Sequence, residues 1–250
     1  MLIFGFNPVL EALRAGRVRV VRVSSRADDR MRAVLDRARE GGVRVERVDA
    51  AALERDARGG VHQGIVAEVR DPDPCSVEDL VFSARAAPLI VVLDGIEDPH
   101  NLGAILRTVD AVGGDGVVRQ SRRAAPIDAA AAKASAGAVA WVRVAEVVNI
   151  ARTLEELKAL NVWTVGLAGD APQTYDTVDL TLPTAIVLGA EGVGLRRLVR
   201  ERCDLTVSIP MAGHVGSLNV SVAAGVVLFE AGRQRRIVPV APAHLHNFPN

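Results

Sequence analysis

The chain has 250 residues, of which 49% are hydrophobic and 24% are charged, and its thirty basic and thirty acidic side chains leave no formal net charge. These proportions fit one or two globular domains and exclude a disordered, collagenous or disulfide-stapled chain. Residues 1–70, however, hold fourteen arginines against ten acidic side chains, a net charge of +4, and the rest of the chain carries −4. The neutral total therefore does not exclude a nucleic-acid partner, although a solvated helix face explains the arginines equally well on composition alone.

The cysteines and the N-terminal residues bear on metal binding and location. Cys75 and Cys203 stand apart, with no paired spacing and no histidine cluster of the kind that binds zinc. We therefore expect no metal site and a reducing, cytoplasmic location. Pro8 and Glu11 interrupt the stretch that a signal peptide would keep apolar, and no eighteen apolar residues run together. The sequence predicts a protein that is neither exported nor membrane-spanning.

Residues 1–70 predict a small α/β domain. Asn7 and Pro8 form an N-cap and first-turn pair, so a short helix is expected over residues 8–15. Asp49 is placed to cap another short helix. The other predicted elements are a strand at 18–23, a helix at 29–40, a strand at 43–48 and a strand at 65–69.

A linker of residues 71–86 is predicted to separate this domain from a second one, residues 87–250, because two Asp-Pro pairs interrupt regular structure. The second domain alternates short apolar strands with helices, which is typical of a parallel sheet covered on both faces. The predicted strands lie at 89–93, near 117, and at 162–168, 186–188 and 205–209; the predicted helices lie at 102–112, 150–160, 195–202 and 218–232. The tail from residue 239 is predicted to be unstructured.

Three strand-to-loop junctions of the second domain are candidate ligand sites, because ligands of open α/β sheets bind beyond the carboxyl ends of the strands. After the first strand, Asn101 is placed at the N-cap of a helix, and Arg107 follows six residues later. The second junction, residues 189–194, is a glycine-rich turn whose spacing differs from the dinucleotide fingerprint. Each of these features alone has a plain structural explanation.

The third junction, residues 209–221, leads into the last apolar helix. Ser217 and Asn219 are placed to cap that helix. His214 is a candidate general base, although no carboxylate partner is evident in the sequence. Capping alone is a sufficient explanation for the polar residues of this segment.

Together, the three junctions closely resemble, in order and separation, the SpoU (TrmH) family of S-adenosylmethionine-dependent RNA ribose 2'-O-methyltransferases. The resemblance covers residues 88 to about 236. Residues 5–16 and 62–67 resemble the accessory RNA-binding domain of the family's large-subunit rRNA guanosine methyltransferases. The resemblance implies an α/β fold class in which a small RNA-binding domain precedes a trefoil-knot (SPOUT) methyltransferase domain, although threaded connections are otherwise rare.

The resemblance also implies a reaction and a set of site residues. A homodimer would methylate a guanosine ribose 2'-hydroxyl in 23S rRNA, and the apolar last helix would face both the core and the partner. A guanidinium stays protonated at neutral pH, so we expect Arg107 to position the substrate and leave the general base unassigned. The implied catalytic residues are Asn101, Arg107, Glu191, Ser217 and Asn219. The implied cofactor-binding residues are Leu188, Gly189, Ala190, Ile209, Met211, Ser217 and Leu218.

Two further features concern RNA contacts. His214 and Gly216 occupy positions where relatives often carry serine, which affects local RNA contacts rather than methyl transfer. In the basic first domain, Arg17, Arg19 and Arg22 are predicted to contact RNA phosphates.

Three alternatives stay open at this point: a tRNA ribose 2'-O-methyltransferase, a non-catalytic rRNA-binding or ribosome-assembly factor with the same fold, and a nicotinamide oxidoreductase. The basic first domain favours rRNA over tRNA. The five intact motif residues argue against a factor without activity, and the lack of a GxGxxG turn argues against the oxidoreductase.

Overall fold

A computed structural model describes residues 1–24 and 29–235 of the chain. The predicted unstructured tail lies outside these residues. No helix within the described ranges is both long enough and apolar enough to cross a membrane.

The first domain is a four-stranded mixed sheet with helices packed on it. The strands follow the order β1-β4-β2-β3, in which β2 and β3 are parallel and the other pairs are antiparallel. Alternate strand residues and the inner faces of the first two helices form the core, as their apolar periodicity predicts. In chain order the elements are β1 (Leu2–Phe4), α1 (Phe6–Arg14), β2 (Val18–Val23), α2 (Asp29–Glu40), β3 (Arg44–Arg47), α3 (Ala50–Ala57) and β4 (Ile65–Val69).

The predicted start of α1 is wrong, whereas the predicted cap of α3 is confirmed. Gly5, with φ 92°, is the N-cap of α1, and Phe6 N donates to Gln63 Oε1 at 3.0 Å. This distant amide satisfies a first-turn N–H, so the helix needs no capping by Asn7. At α3, Asp49 Oδ1 accepts a hydrogen bond from Ala52 N at 2.7 Å.

The predicted linker contains a helix that the sequence analysis missed. Helix α4 (Val77–Phe82) starts with a capping box, in which Ser76 and Asp79 bond to each other's backbone N–H groups. Its residues Val77 and Leu80 are buried in the core of the second domain. The Asp-Pro pairs therefore interrupt regular structure only between the end of β4 and residue 75, and not over the whole predicted linker.

The second domain is a seven-stranded sheet with helices on both faces. The strand order is β7-β6-β5-β10-β8-β11-β9, and every neighbouring pair is parallel, which confirms the predicted parallel sheet. Its elements are β5 (Leu89–Asp94), α5 (Pro99–Ala111), β6 (Gly116–Gln120), α6 (Ala129–Ala134), β7 (Val144–Val147), α7 (Ile150–Ala159), β8 (Trp163–Leu167), β9 (Gln173–Thr174), β10 (Thr184–Gly189), α8 (Arg197–Arg202), β11 (Leu205–Ser208) and α9 (Val220–Arg235). Helices α5, α6 and α9 contribute to one core, and α4, α7 and α8 to the other.

The two domains pack against each other through α1 and the segment that follows α6. Ala132 of α6 is buried in the first domain's core. Arg17 Nη1 donates to the carbonyl oxygen of Ala140 at 3.2 Å, and Trp141 Nε1 donates to Glu11 Oε2 at 3.0 Å. Apolar packing and directed hydrogen bonds thus hold the domains together.

Candidate active site

A cavity of about 660 Å³ opens beside the carboxyl ends of β8, β10 and β11. Its volume lies in the range of sites that enclose a small organic ligand. Residues from three segments line it, 167–170, 188–195 and 209–223, together with Arg200 of α8. The structure brings all seven of the predicted cofactor-binding residues to this cavity, namely Leu188, Gly189, Ala190, Ile209, Met211, Ser217 and Leu218.

The glycine-rich turn after β10 folds back on itself at the cavity wall. Gly194 N donates to the carbonyl oxygen of Ala190 at 2.7 Å, and Gly194 has a φ of 72°. A Cβ atom at Gly189 would clash with the carbonyl group of Gly194 and with Leu195 N. The glycines are therefore required by sterics, and they present backbone groups rather than side chains to the cavity.

A buried carboxylate fixes the far end of this turn. Asp94 is fully buried at the end of β5, opposite Gly189 of β10. Its Oδ2 accepts a hydrogen bond from Arg196 N at 2.9 Å, and its Oδ1 accepts from Arg196 Nε at 2.7 Å. A buried carboxylate is stable only when it is paired in this way, so Asp94 and Arg196 tether the turn to the sheet. The sequence signal was an aspartate directly after a buried strand.

Three of the predicted catalytic residues meet at the rim of the cavity. Asn101 Nδ2 donates to Glu191 Oε1 at 2.7 Å. Asn219 Nδ2 donates to the same Glu191 oxygen at 2.6 Å and to Asn101 Oδ1 at 3.0 Å. The three side chains come from α5, the glycine-rich turn and the segment before α9. They form one polar cluster, which we call the Asn-Glu-Asn cluster.

The position predicted for Asn101 is wrong, although its inclusion in the site is supported by these contacts. Asp98 is the N-cap of α5, where its Oδ1 accepts from His100 N at 3.0 Å, and Pro99 occupies the first helical position. An Asp-Pro pair is a strong helix start, so Asn101 lies inside the first turn. Its side chain is only 7% exposed and is free to join the cluster.

Asn219 has two roles. Its Oδ1 accepts hydrogen bonds from Ser221 N at 2.9 Å and Ser221 Oγ at 2.6 Å, which confirms that it caps α9. Its amide nitrogen meanwhile points to the Asn-Glu-Asn cluster. Ser217, the other predicted cap, makes no hydrogen bond within the described ranges and lines the cavity instead.

Arg107 and His214 do not join the cluster. Arg107 is exposed on α5, about 9 Å along the helix from Asn101 and on another face. As far as the chain is described, Arg107 forms no hydrogen bond or ion pair, and neither does His214, which is exposed and does not line the cavity.

An ion pair at the cavity wall was not predicted from the sequence. Arg200 Nη1 and Asp170 Oδ2 lie 3.0 Å apart, and the hydrogen bond from Arg200 lowers the pKa of the Asp170 carboxyl. Both residues line the cavity. Asp170 follows β8, the neighbour of β10, so the rule that ligands bind beyond the carboxyl ends of strands also pointed to it.

The two cysteines are not grouped with other potential metal ligands among the described residues. Burial raises the pKa of the Cys203 thiol to about 12, so this thiol stays protonated at neutral pH. Within residues 1–24 and 29–235, no three or more His, Cys, Asp or Glu side chains are grouped so as to hold a metal ion.

The three arginines predicted to bind RNA all have intramolecular partners. Arg17 bonds to the second domain, and Arg19 Nη1 lies 3.7 Å from Glu68 Oε1. Arg22 Nη1 bonds to Asp56 Oδ2 at 2.8 Å, and this hydrogen bond raises the pKa of Arg22. Their role in RNA binding stays a prediction.

Solved structures define the class of protein to which this fold and cavity correspond. The SpoU methyltransferase AviRb from Streptomyces viridochromogenes, in complex with S-adenosylmethionine, matches with a TM-score of 0.80 and 27% identity, over 94% of this chain and 90% of that chain. A structure described as an RNA 2'-O ribose methyltransferase matches with a TM-score of 0.74 and 27% identity, over 95% and 89% of the two chains. The class is that of S-adenosylmethionine-dependent RNA methyltransferases.

The family follows from the sequence matches. The model of the SpoU rRNA Methylase family matches residues 88–229, and a model for RNA 2'-O ribose methyltransferase substrate binding matches residues 2–75. The chain belongs to the SpoU rRNA methylase family. The family and the α/β fold class predicted from the sequence are confirmed.

The alignments with named relatives cover nearly the whole chain. RlmB of Photobacterium profundum, a 23S rRNA (guanosine-2'-O-)-methyltransferase, is 44% identical over 94% of this chain and 98% of its own length. An uncharacterized tRNA/rRNA methyltransferase of Mycolicibacterium gilvum is 46% identical over 94% of this chain and 77% of its own length.

Proposed function

We propose that this protein transfers a methyl group from S-adenosylmethionine to the ribose 2'-hydroxyl of a guanosine in 23S rRNA. The observation that carries the proposal is the Asn-Glu-Asn cluster at the rim of the cavity that all seven predicted cofactor residues line. Methyl transfer requires the reacting hydroxyl and the methyl donor to be aligned. The cluster and the cavity meet this requirement because they are adjacent and share Glu191 and Asn219.

The cavity fits S-adenosylmethionine in size and chemistry. Bound there, this cofactor supplies a methyl group activated by a positively charged sulfonium. The glycine-rich turn offers backbone groups to the adenine and the amino acid without side chains that would intrude, and Leu188, Ile209 and Met211 provide apolar walls. The Glu191 carboxylate lines the same space and favours a cationic ligand, whereas the Asp170 carboxylate is already paired with Arg200.

The cluster can orient the ribose hydroxyl. Glu191 Oε1 accepts hydrogen bonds from both asparagine amides, which fixes the carboxylate plane. The other oxygen, Oε2, has no partner as far as the chain is described, so it can accept a hydrogen bond from the 2'-hydroxyl. Glu191 thus holds the hydroxyl, and Asn101 and Asn219 hold Glu191.

We infer that the protein acts as a homodimer. The exposed Arg107 does not reach the cluster of its own chain, and a second subunit would allow it to meet RNA bound beside its partner's cavity. Val222 and Phe229 on α9 leave an apolar face exposed, which supports a subunit interface there. An arginine positioned against a phosphate or the ribose stabilises negative charge during the reaction.

Ribosomal RNA is favoured over tRNA as the substrate. The relatives named as 23S rRNA methyltransferases match the chain over both of its domains, whereas the A. aeolicus TrmH/SpoU tRNA modifying enzyme covers 63% of the chain with a TM-score of 0.56. The segment that matches the substrate-binding model, residues 2–75, holds fourteen arginines against twelve acidic side chains, a net charge of +2, and the rest of the chain carries −2. Such a substrate places the protein in the cytoplasm.

Nucleoside analysis tests this proposal. Purified protein is incubated with transcribed 23S rRNA or total tRNA and methyl-labelled S-adenosylmethionine, and the digested nucleosides are separated by mass spectrometry. We expect label in 2'-O-methylguanosine from 23S rRNA only. A Gly189→Ala variant, whose added Cβ would clash with Gly194 and displace the turn, should neither bind the cofactor in calorimetry nor label RNA. Label in tRNA alone would overturn the substrate, and cofactor binding without any label would favour a non-catalytic factor.

A further inference from the structure

A buried arginine fixes the loop between β6 and α6. Arg119, which is only 9% exposed, bonds to Glu146 Oε1 through Nε at 3.1 Å and Nη2 at 2.8 Å, and its Nη1 donates to the carbonyl oxygen of Ala125. Ala125 N in turn donates to the carbonyl oxygen of Ile96 at 2.8 Å. The loop is therefore held from two sides, and its tip is preorganised.

Two unpaired arginines project from this loop. Arg122 and Arg123 are exposed, and neither forms a hydrogen bond or an ion pair with any described residue. Arg123 has a φ of 53°, a left-handed conformation that side chains other than glycine rarely adopt. Strain of this kind persists where the surrounding contacts impose it, and it is concentrated at functional sites.

The loop lies next to the proposed reaction site. β5 and β6 are parallel neighbours, so the loops after them emerge at the same edge of the sheet. The bond from Ala125 to Ile96 joins this loop to the one that leads into α5, whose first turn holds Asn101. Arg122 precedes Ala125 by three residues, so the Cα atoms of these two residues are at most about 11 Å apart.

We propose that Arg122 and Arg123 form a phosphate clamp for the RNA strand that carries the methylated ribose. The proposal rests on the proposed function, because it takes the Asn-Glu-Asn cluster as the place of that ribose. Guanidinium groups bind phosphates with two parallel hydrogen bonds. These two side chains have no partner among the described residues to give up, and the loop is already fixed. Phosphate binding therefore costs little conformational entropy beyond that of the two side chains. Glu97 and Asp98, the acidic residues that follow Ile96 in the neighbouring loop, form no ion pair with either arginine in the described part of the chain.

The test compares two double variants that remove the same charge. R122Q/R123Q removes the clamp, and R85Q/R202Q removes two arginines that precede β5 and β11, at the opposite edge of the sheet. For R122Q/R123Q we expect the KM for 23S rRNA to rise at least tenfold, with kcat changed less than threefold. The slope of log affinity against log salt should fall in magnitude by about 0.7–0.9 for each lost phosphate contact. R85Q/R202Q should match wild type.

Two further readouts make the result decisive. Binding of S-adenosylmethionine should be unchanged in both variants, which shows that they are folded. R122K/R123K keeps the charge but not the paired hydrogen bonds, so it should keep the salt slope and recover only part of the affinity.

RNA affinity and its salt slope are measured by filter binding, which does not require turnover. A wild-type protein that binds rRNA but transfers no methyl would overturn the proposed function and still test the clamp. An rRNA affinity and salt slope of R122Q/R123Q equal to those of wild type, or an equal loss in R85Q/R202Q, would overturn the clamp.

Discussion

Asn101 shows at the scale of single residues why an amide is needed in the cluster. Its Nδ2 donates to Glu191 and its Oδ1 accepts from Asn219, so both ends of the amide are used. An Asn101→Asp substitution keeps the shape but removes the donor and places two carboxylates within about 3 Å of each other. We expect kcat to fall by about 100-fold, the loss typical of one positioned catalytic hydrogen bond. The KM for S-adenosylmethionine should change little, and steady-state methylation of rRNA measures both quantities.

The matched control makes the same chemical change at a helix cap. Asn149 caps α7 by accepting a hydrogen bond from Arg152 N at 3.2 Å, a role that aspartate fills equally well. Asn149→Asp should therefore have wild-type activity. Full activity of Asn101→Asp would show that the cluster is structural rather than part of the reaction.

The resemblance to a known family predicted which residues line the cavity, but it did not predict the contacts of each residue. All seven implied cofactor residues line the cavity, and they come from the two junctions after β10 and β11. The position of Asn101 was not predictable in the same way, because Asp98 and Asn101 are both good N-caps and only the contact with Glu191 decides between them. That contact joins residues ninety positions apart, so no local pattern contains it.

At the scale of elements, α9 is apolar on the side that faces the core and also on the side that faces solvent. Val222 and Phe229, one heptad apart on one face of the helix, are 52% and 58% exposed. We expect V222E/F229E to convert the protein from a dimer to a folded monomer, measured by light scattering. Burial of the exposed half of each side chain contributes about 1 kcal/mol, and a two-fold interface contains four such contributions, so the dissociation constant should rise about 1000-fold.

Exposed apolar residues on other elements provide a control variant for V222E/F229E. Phe82 of α4 and Val148 after β7 are 74% and 85% exposed, and F82E/V148E should remain dimeric. A wild-type protein that is monomeric at micromolar concentration would contradict the inferred homodimer. Methyl transfer by monomeric V222E/F229E at the wild-type rate would show that Arg107 of a second subunit is not required.

The sequence predicted strands and helices where a local pattern decides between them, but it did not predict the order of the strands in the sheet. The apolar runs of β5, β8 and β10 predicted buried strands, and they are buried except at the start of β8, where Trp163 is 50% exposed. The order of these strands, with β10 between β5 and β8, depends on packing among segments far apart in sequence, which alternation does not encode. Helix α4 was missed for a different reason, since its six residues are too few for a helical period to stand out beside the prolines.

For the molecule as a whole, two groups of arginines in the positively charged first domain have to be distinguished. Arg17, Arg19 and Arg22 are bound to other parts of the protein. By contrast, Arg47, Arg55 and Arg58 are exposed, and their side chains have no hydrogen bond or ion pair among the described residues. Net charge therefore overstates what the first domain can offer to RNA, since a guanidinium already paired with a carboxylate binds a phosphate only by sharing or breaking that pair.

This division leads to a prediction that separates domain docking from RNA binding. R47Q/R55Q/R58Q should reduce the magnitude of the salt slope for rRNA binding by about 0.7–0.9 per lost phosphate contact, at unchanged thermal stability. R17Q/R19Q/R22Q should lower the melting temperature instead. It removes the Arg17 bond to the second domain, worth about 0.5–1.5 kcal/mol, and three ion pairs, one of Arg19 and two of Arg22, worth about 0.2–1 kcal/mol each. Filter binding across a salt series and calorimetric melting measure the two effects. A larger loss of slope in R17Q/R19Q/R22Q would instead support the prediction made from the sequence, and it would mean that these pairs open when RNA binds.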